Sequence, residues 1–133
     1  MTFIDSSVWI DFFNGKKSVE TDTLDDLLTS EPVGLGDLVL IEVLQGFRHD
    51  RDYATAKDLL TSLTIFELGG LDIAIKSAEN FRELRKRGIT VRKTIDVLIA
   101  TYCIQNNLPL LHSDKDFEPF HTHLNLKNAI IST

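Results

Sequence analysis

Apolar positions along the chain follow two patterns: short continuous runs, and longer segments with apolar residues three or four positions apart. The short runs, which include β-branched and aromatic residues, predict strands, and the spaced segments predict helices. The predicted strands cover residues 2–4, 32–36, 64–68, 109–111 and 129–131. The predicted helices cover residues 8–13, 19–29, 37–45, 50–62 and 73–86, followed by an apolar helix that runs from a cap at Thr94 to a turn at Asn106.

Strands alternate with helices, and no two strands are joined by a hairpin signal, which is typical of an open parallel α/β sheet. The 133 residues contain no repeat, linker or low-complexity tract, so a single domain over residues 1–133 is expected. Apolar runs stay well below the roughly 18 residues of a membrane span. The N-terminus lacks a basic segment followed by an apolar one, which favours a cytoplasmic protein that does not enter a membrane.

Charge is distributed unevenly along the chain. The net charge of −6 argues, taken alone, against a nucleic-acid partner. Residues 76–93 nevertheless contain seven basic and two acidic side chains, and the segment ends in Arg92 and Lys93. This basic strip is either a solvated helix face or a surface that binds a polyanion beside an acidic pocket.

Acidic residues follow two of the predicted strands. Asp5 comes directly after the first strand, and Asp114 and Asp116 come shortly after the strand at 109–111. Ligands of open parallel sheets bind beyond the carboxyl ends of the strands, so these carboxylates can share one site. Each of them could instead cap a turn or a helix.

Two further acids lie in apolar helical segments. Glu42 is surrounded by leucine, valine and isoleucine, and Asp96 by residues of the same kind. A carboxylate on a buried helix is costly unless a cation or hydrogen-bond donors compensate its charge. Glu42 is therefore either a metal ligand or the partner of Arg48. Asp96 lies at the start of its helix, where the helix dipole favours the ionised acid.

Convergence of these acids would create a cation site. Two carboxylates about 4 Å apart repel each other by roughly 4 kcal/mol at an effective dielectric constant of 20. A group of four or five stays partly protonated unless a divalent ion lies among them. Ligation by oxygen alone suits Mg²⁺ or Mn²⁺, and such an ion supports phosphoryl-transfer chemistry that needs neither a covalent nucleophile nor a histidine base.

The cysteine and histidine side chains are less informative about function. Cys103 lies among apolar neighbours and is expected to be a small core residue. His112, at a strand end, is expected to be structural or a hydrogen-bond donor to the site. His121 and His123 lie in a polar segment and are expected at the surface. Nucleotide-binding, serine-hydrolase and zinc-protease motifs are absent from the sequence.

Three segments together resemble the PIN-domain family, specifically its VapC-type toxin ribonucleases. They are FIDSSVWIDFF, GDLVLIEVLQGF and VRKTIDVLIATYCIQNNLPLLHSDKDF. No single segment is specific, but the three occur in the family's order and spacing over nearly the whole chain. The resemblance implies a three-layer α/β/α fold with a central parallel sheet. It also implies a metal-dependent endoribonuclease that cleaves RNA phosphodiesters with metal-activated water.

The resemblance further implies which acids form the site. Asp5 and Asp96 would be the principal ligands of Mg²⁺ or Mn²⁺. Glu42 and Asp114 would complete the catalytic quartet, and Asp116 would be an auxiliary ligand or an anchor of its loop. The chain does not depart from the family pattern at the four principal acids, so an active enzyme is expected.

Auxiliary residues and partners are implied in the same way. Ser6 and Thr94 occupy positions where a hydroxyl assists the site, and Arg92 and Lys93 would grip the RNA backbone. The implied partners are an RNA substrate and a small VapB-type antitoxin that blocks the site. Members of the family form homodimers, which combine with antitoxin into toxin–antitoxin hetero-oligomers.

The residues leave other functions open. A DNA nuclease or a phosphatase could use the same acids on the same scaffold. A non-catalytic binding module could use them to receive an arginine from a partner. A phosphoacceptor domain is disfavoured, because Asp5 is followed by Ser6 and Ser7 rather than by a second acid. The RNA target cannot be read from the sequence, since RNA recognition depends on loop shape and exposed bases.

Overall fold

The computed structural model describes residues 1–130, and four parallel strands form the sheet at its centre. The strands are β1 (Thr2–Ile4), β2 (Val33–Gly36), β3 (Thr64–Phe66) and β4 (Leu110–Leu111). The helices that flank the sheet are α1 (Ser6–Phe13), α2 (Val19–Ser30), α3 (Asp37–Gln45), α4 (Asp50–Thr61), α5 (Leu71–Lys86), α6 (Thr94–Gln105) and α7 (Glu118–His123), with a 3₁₀ turn at Lys115–Phe117. The predicted α/β fold with a central parallel sheet is confirmed.

The order of the strands, β3-β2-β1-β4, decides where a crevice opens. The chain moves outward from β1 to β2 and β3, and then returns to the other side of β1 to form β4. Phe3 pairs with Leu110, and Ile4 pairs with Leu111. The carboxyl ends of β1 and β4 therefore lie side by side at the point where the strand order reverses, which is the usual ligand position in open parallel sheets.

The central strands are buried along their length, which explains their continuous apolar runs. Residues of a sheet covered on both faces have no solvent side that would require polar residues at alternate positions. Side chains with no exposed surface include Phe3, Ile4, Trp9, Leu35, Leu60, Leu84, Ile99, Leu110, Leu111, Phe117 and Phe120. Cys103 belongs to the same core, as expected, and burial raises the pKa of its thiol.

Strands β2 and β3 approach each other so closely that one position excludes a side chain. A Cβ atom on Gly34 would lie 2.6 Å from Cε2 of Phe66 and 2.9 Å from the carbonyl oxygen of Thr64. Gly34 pairs with Thr64 in the sheet, so that oxygen is fixed by the ladder itself. The absence of a side chain at position 34 is thus a requirement of the sheet.

Three helix starts differ from the sequence prediction by one or two residues. α1 begins at Ser6 instead of residue 8, because Asp5 caps it. α5 begins at Leu71, because Gly70, with φ of 88°, ends the preceding loop; Asp72 lies inside the first turn instead of capping it. α6 begins at Thr94, and the residue that precedes the helix is Lys93. The Lys93 carbonyl already accepts the first helical hydrogen bond, from the N–H of Asp96, so the predicted cap at Thr94 is wrong.

The predicted edge strand at 129–131 is also wrong within the described residues. The segment makes one isolated parallel bridge, between Leu110 and Asn128, and Ala129 and Ile130 form a bend. The Asn128 side chain accepts a hydrogen bond from the N–H of Ile130 at 3.1 Å, which turns the chain after a single bridge. Ile131 lies outside the described residues.

None of the helices within residues 1–130 combines the length and the apolar character needed to cross a bilayer.

Candidate metal centre

The ends of β1 and β4 bring two acidic loops together. The backbone N–H of Asp5 donates to the carbonyl of Leu111 at 2.9 Å, so Asp5 leaves the sheet directly beside the start of the loop that carries Asp114. Asp114 caps the 3₁₀ turn after β4, and its Oδ1 accepts the N–H of Asp116 at 2.9 Å. Backbone pairing in the sheet therefore fixes the relative position of these acids.

Three carboxylates form the tightest cluster in the described part of the chain. One oxygen from each of Asp96, Asp114 and Asp116 lies within 4.8 Å of the other two. Asp96 comes from the first turn of α6, and the other two come from the loop after β4. The start of α6 and the loop after β4 thus bring three carboxylates close together. The positive end of the α6 helix dipole faces them.

Asp96 carries the strongest electrostatic signature of the group. Its side chain is 6% exposed, and its Oδ2 has no hydrogen-bond partner among the described residues. Burial, followed by the negative charges of Asp5 and Asp114, raises the pKa of Asp96 to about 7. A buried carboxylate oxygen without a donor is costly, and a cation would relieve that cost.

Asp5 is held in place by the start of the helix that follows it. Its Oδ2 accepts hydrogen bonds from the backbone N–H of Ser7 at 3.0 Å and from the Ser7 hydroxyl at 2.6 Å. Burial raises the pKa of Asp5, with a further contribution from Asp114, while the hydrogen bonds from Ser7 and Ser6 oppose the rise. Asp5 therefore caps α1 and at the same time adds negative charge to the cluster.

Glu42 reaches the same region from α3. Its Oε1 is buried without a hydrogen-bond partner among residues 1–130, and no ion pair joins it to Arg48 there. Burial and then the charge of Asp5 raise the pKa of Glu42, whereas Lys93 lowers it. The expectation that α3 is buried nearly all round is wrong, since Ile41 is 55% exposed and only one face of the helix packs on the core.

Two basic residues already touch the cluster. Nη2 of Arg92 lies 3.2 Å from both carboxylate oxygens of Asp116. Nζ of Lys93 lies 3.9 Å from Oδ2 of Asp114. Both basic side chains are mainly exposed and approach the acids from the solvent side.

The hydroxyl that supports the acids is that of Ser7, whereas the sequence had pointed to Ser6. Besides donating to Asp5, the Ser7 oxygen accepts the backbone N–H of Ser113 at 3.1 Å, and so links the loop after β1 with the loop after β4. A serine two positions after a helix-capping aspartate is the signal that could have identified this contact. Thr94 lines a groove between α5 and α6 together with Val97 and Leu98.

A pair of histidines, His112 and His121, contacts the loop that carries Asp114. The N–H of Asp114 donates to Nδ1 of His112, which leaves the proton of neutral His112 on Nε2. That nitrogen lies 2.8 Å from Nε2 of His121, whose Nδ1 lies 2.8 Å from the carbonyl of Leu126. His121 is thus a partly buried partner of His112, and the expectation that it lies free at the surface is wrong.

The donor set fits a hard divalent cation. Ligand oxygens around Mg²⁺ are about 3 Å apart when adjacent and about 4 Å apart when opposite, because the ion binds them at about 2.0–2.1 Å. The three clustered oxygens, within 4.8 Å of one another, need only small side-chain rotations to reach that spacing. The unpartnered oxygens of Asp96 and Glu42 are additional acceptors, and an all-oxygen set is unsuited to zinc.

Comparison with known proteins identifies the family to which the chain belongs. Two relatives are each 28% identical over 131 residues, covering 97% of this chain and 98% of their own: VapC ribonuclease Mb1587 of Mycobacterium bovis and Ribonuclease VapC11 of Mycobacterium tuberculosis. Similar solved structures include VapBC2 from Rickettsia felis bound to a promoter DNA fragment (18% identity, TM-score 0.75, 98% of both chains) and DNA-bound VapBC from Salmonella typhimurium (18%, 0.71, 96% of both). The family model of the PIN domain matches residues 2–120, a span that contains every acid described above. The chain therefore belongs to the PIN-domain family.

Proposed function

We propose that the protein is a metal-dependent endoribonuclease that acts as the toxin of a toxin–antitoxin pair. The observation that carries the proposal is the buried Asp96 carboxylate, with its unpartnered oxygen, in a metal-sized cluster at the reversal point of the sheet. The names of the two mycobacterial relatives, both ribonucleases, support RNA as the substrate class. Because its substrate is RNA, we propose that the protein acts in the cytoplasm.

The acids are assigned by position and charge. Asp5, Asp96 and Asp114 would hold Mg²⁺ or Mn²⁺, Glu42 would complete the set, and Asp116 would support the loop and act as an auxiliary ligand. Such an ion supplies activation of water and neutralises charge on the phosphoryl group. The chain's own contribution is preorganisation, since the sheet register and the Ser7 contacts hold the acids before substrate arrives.

RNA cleavage is the direct test of this proposal. Purified protein should cut single-stranded RNA in the presence of Mg²⁺ or Mn²⁺ and lose this activity with EDTA. The Asp96→Asn variant should cleave RNA at least about a hundredfold more slowly. Single-stranded DNA and a small phosphomonoester in the same buffer distinguish a DNA nuclease or a phosphatase. Asp58→Asn, an exposed substitution on α4, is the matched control. Undiminished cleavage by Asp96→Asn would discard the assigned roles.

An antitoxin of the VapB type is the proposed protein partner, since several similar structures are VapBC complexes. A cavity of about 140 Å³ lies between α1 and α3, lined by Ile10, Phe13 and Phe47 and reaching Glu42. Its apolar walls and acidic end suit a peptide with apolar side chains and one basic side chain. Co-expression with the short reading frame next to the gene should give a complex without ribonuclease activity, and Phe47→Asp should weaken that complex.

A second copy of the chain is the proposed partner at α5. Leu71 is 76% exposed and Ile75 is 53% exposed on the same face of that helix. This face adjoins the apolar groove between α5 and α6. Light scattering should give a dimer for the wild-type protein and a monomer for Leu71→Glu/Ile75→Glu. Val19→Glu, at a position 64% exposed on α2, should leave the dimer intact.

A further inference from the structure

Two of the three clustered acids are paired with basic side chains from one short segment. Arg92 contacts both oxygens of Asp116 at 3.2 Å, and Lys93 lies 3.9 Å from Asp114. Asp96, the third acid, has an oxygen without a partner among the described residues. The side chains of Arg92 and Lys93 therefore contact two carboxylates that would otherwise be available to a metal ion.

These contacts are arranged to be released easily. The Arg92 side chain is 78% exposed and that of Lys93 is 59% exposed, whereas Asp116 and Asp114 are 19% and 27% exposed. Ion pairs at such exposure contribute little to stability, so both basic side chains can leave their acids at little cost. Their backbones directly precede α6, so on release the charges stay beside Asp96.

We propose that Arg92 and Lys93 couple metal binding to RNA binding. In the metal-free protein they hold Asp116 and Asp114; a divalent cation takes these carboxylates, and the two released side chains bind phosphates of the RNA next to the cluster. The inference rests on the proposed function, because RNA is the polyanion it invokes. The inference goes beyond that function, because phosphate binding by Arg92 and Lys93 depends on the metal being bound.

The electrostatics supports this coupling. Without a metal, the acids repel a phosphate backbone, and the two nearest cations are engaged with Asp116 and Asp114. With a metal, the negative charge of the cluster is reduced and two positive charges become available at the same place. Coupling of this kind is reciprocal, so RNA should also raise the affinity for the metal.

Two other roles for Arg92 give different expectations. A simple phosphate contact would add to RNA affinity equally with and without metal. An anchor of the loop would be needed for metal binding, so its removal would weaken the metal site. The proposed role instead makes Arg92 a competitor of the metal in the absence of RNA.

Binding measurements on the full chain separate these roles. Mn²⁺ affinity is measured by electron paramagnetic resonance of the free ion. RNA affinity is measured by fluorescence anisotropy of a short labelled phosphorothioate RNA, whose integrity is checked on a denaturing gel. For Arg92→Gln without RNA we expect Mn²⁺ to bind about two- to fivefold more tightly, as the loss of an exposed competing ion pair predicts. RNA affinity should be unchanged without metal and should fall about fivefold with Mn²⁺.

Lys115→Gln is the matched control, because Lys115 is an exposed base between Asp114 and Asp116 and makes no ion pair within residues 1–130. Any loss of RNA affinity in this variant should be equal with and without Mn²⁺. Arg92→Lys keeps the charge and should retain most of the coupling. Thermal melts verify that each variant is folded.

The outcomes are distinct. Mn²⁺ affinity that is unchanged or weaker in Arg92→Gln would overturn the inference, even in an active ribonuclease. So would an equal loss of RNA affinity in both metal states. A wild-type protein that binds Mn²⁺ but neither binds nor cleaves RNA would refute the proposed function instead.

Discussion

The hydroxyl of Ser7 donates a hydrogen bond to Oδ2 of Asp5 at 2.6 Å, and Ser7 thereby links Asp5 to the loop that carries Asp114. The same oxygen accepts the N–H of Ser113, next to Asp114. One side chain therefore sets the distance between a loop at the start of the chain and a loop near its end. Small displacements of ligands are costly in a site that relies on preorganised charge.

Replacing Ser7 by Ala should reduce RNA cleavage by about tenfold or more, because Asp5 and the loop after β4 lose their common hydrogen-bond partner. The free energy of unfolding should fall by about 1 kcal/mol. Steady-state cleavage rates and urea unfolding measure the two effects. Ser6→Ala, which leaves the Ser7 contacts in place, should retain nearly full activity. Equal activities for the two variants would contradict a bridging role of Ser7.

Replacing Asp96 by Asn should stabilise the metal-free protein at neutral and alkaline pH. Folding raises the pKa of Asp96 from 3.8 to about 7, so the folded state binds the proton more tightly than the unfolded state does. The contribution of this carboxyl to the free energy of unfolding is therefore largest at low pH, and it falls as pH rises from about 4 to about 7. The variant should gain on the order of 4 kcal/mol relative to wild type over that interval, at about 1.4 kcal/mol for each pH unit.

Urea unfolding in EDTA at a series of pH values measures this gain. The control is Asp58→Asn, at an exposed position on α4, for which no comparable gain is expected. A difference between Asp96→Asn and wild type that does not change with pH would show that Asp96 is not held in the environment described above.

Replacing His121 by Ala should lower the free energy of unfolding by about 1–3 kcal/mol, because Nε2 of buried His112 loses its partner. Burial, followed by the charge of His121, lowers the pKa of His112. Neutral His112 thus stabilises the fold above pH 6.5, the ordinary pKa of histidine, and this contribution is lost as pH falls from there through the lowered pKa of His112.

Denaturant unfolding at about pH 7.5 and about pH 5.5 measures this effect. His123→Ala, on the same helix, is the control and should cost less than about 0.5 kcal/mol. Equal losses in the two histidine variants would contradict a specific role of the His112–His121 pair.

Replacing Gly34 by Ala should destabilise the protein by about 2 kcal/mol, because the new Cβ would overlap the Thr64 carbonyl oxygen and the Phe66 ring. Gly46→Ala is the control, since the nearest atom to its Cβ would be at an ordinary 3.5 Å. Thermal melts report the difference. A Gly34→Ala protein as stable as Gly46→Ala would show that β2 and β3 are not packed as closely as described.

Much of the fold follows from local patterns in the sequence. Continuous apolar runs such as that at Phe3 and Ile4 identify strands buried on both faces, and the helical spacing between them predicts the layered architecture. Asp5 and Asp114 could be assigned to a common region because Asp5 follows one strand directly and Asp114 comes shortly after another. These inferences depend on neighbours in the sequence and on general rules of parallel sheets.

Other features depend on residues far apart in the sequence. The Ser7 hydroxyl reaches Ser113 only because β1 and β4 are adjacent and in register. The pairing of Arg92 with Asp116 likewise requires the start of α6 and the loop after β4 to meet. The predicted strand at 129–131 fails for a local reason, since the Asn128 side chain accepts the N–H of Ile130 and turns the chain after one bridge.

The pairing of Phe3 with Leu110 has a consequence for synthesis on the ribosome. A nascent chain can form β1, β2 and β3, with Asp5 and Glu42 in place, long before β4 emerges. The cluster of Asp96, Asp114 and Asp116 cannot assemble until the loop after β4 has also been synthesised. Chains that terminate before β4 should therefore be harmless to the cell that makes them, and the harmful activity should arise only after that loop has emerged.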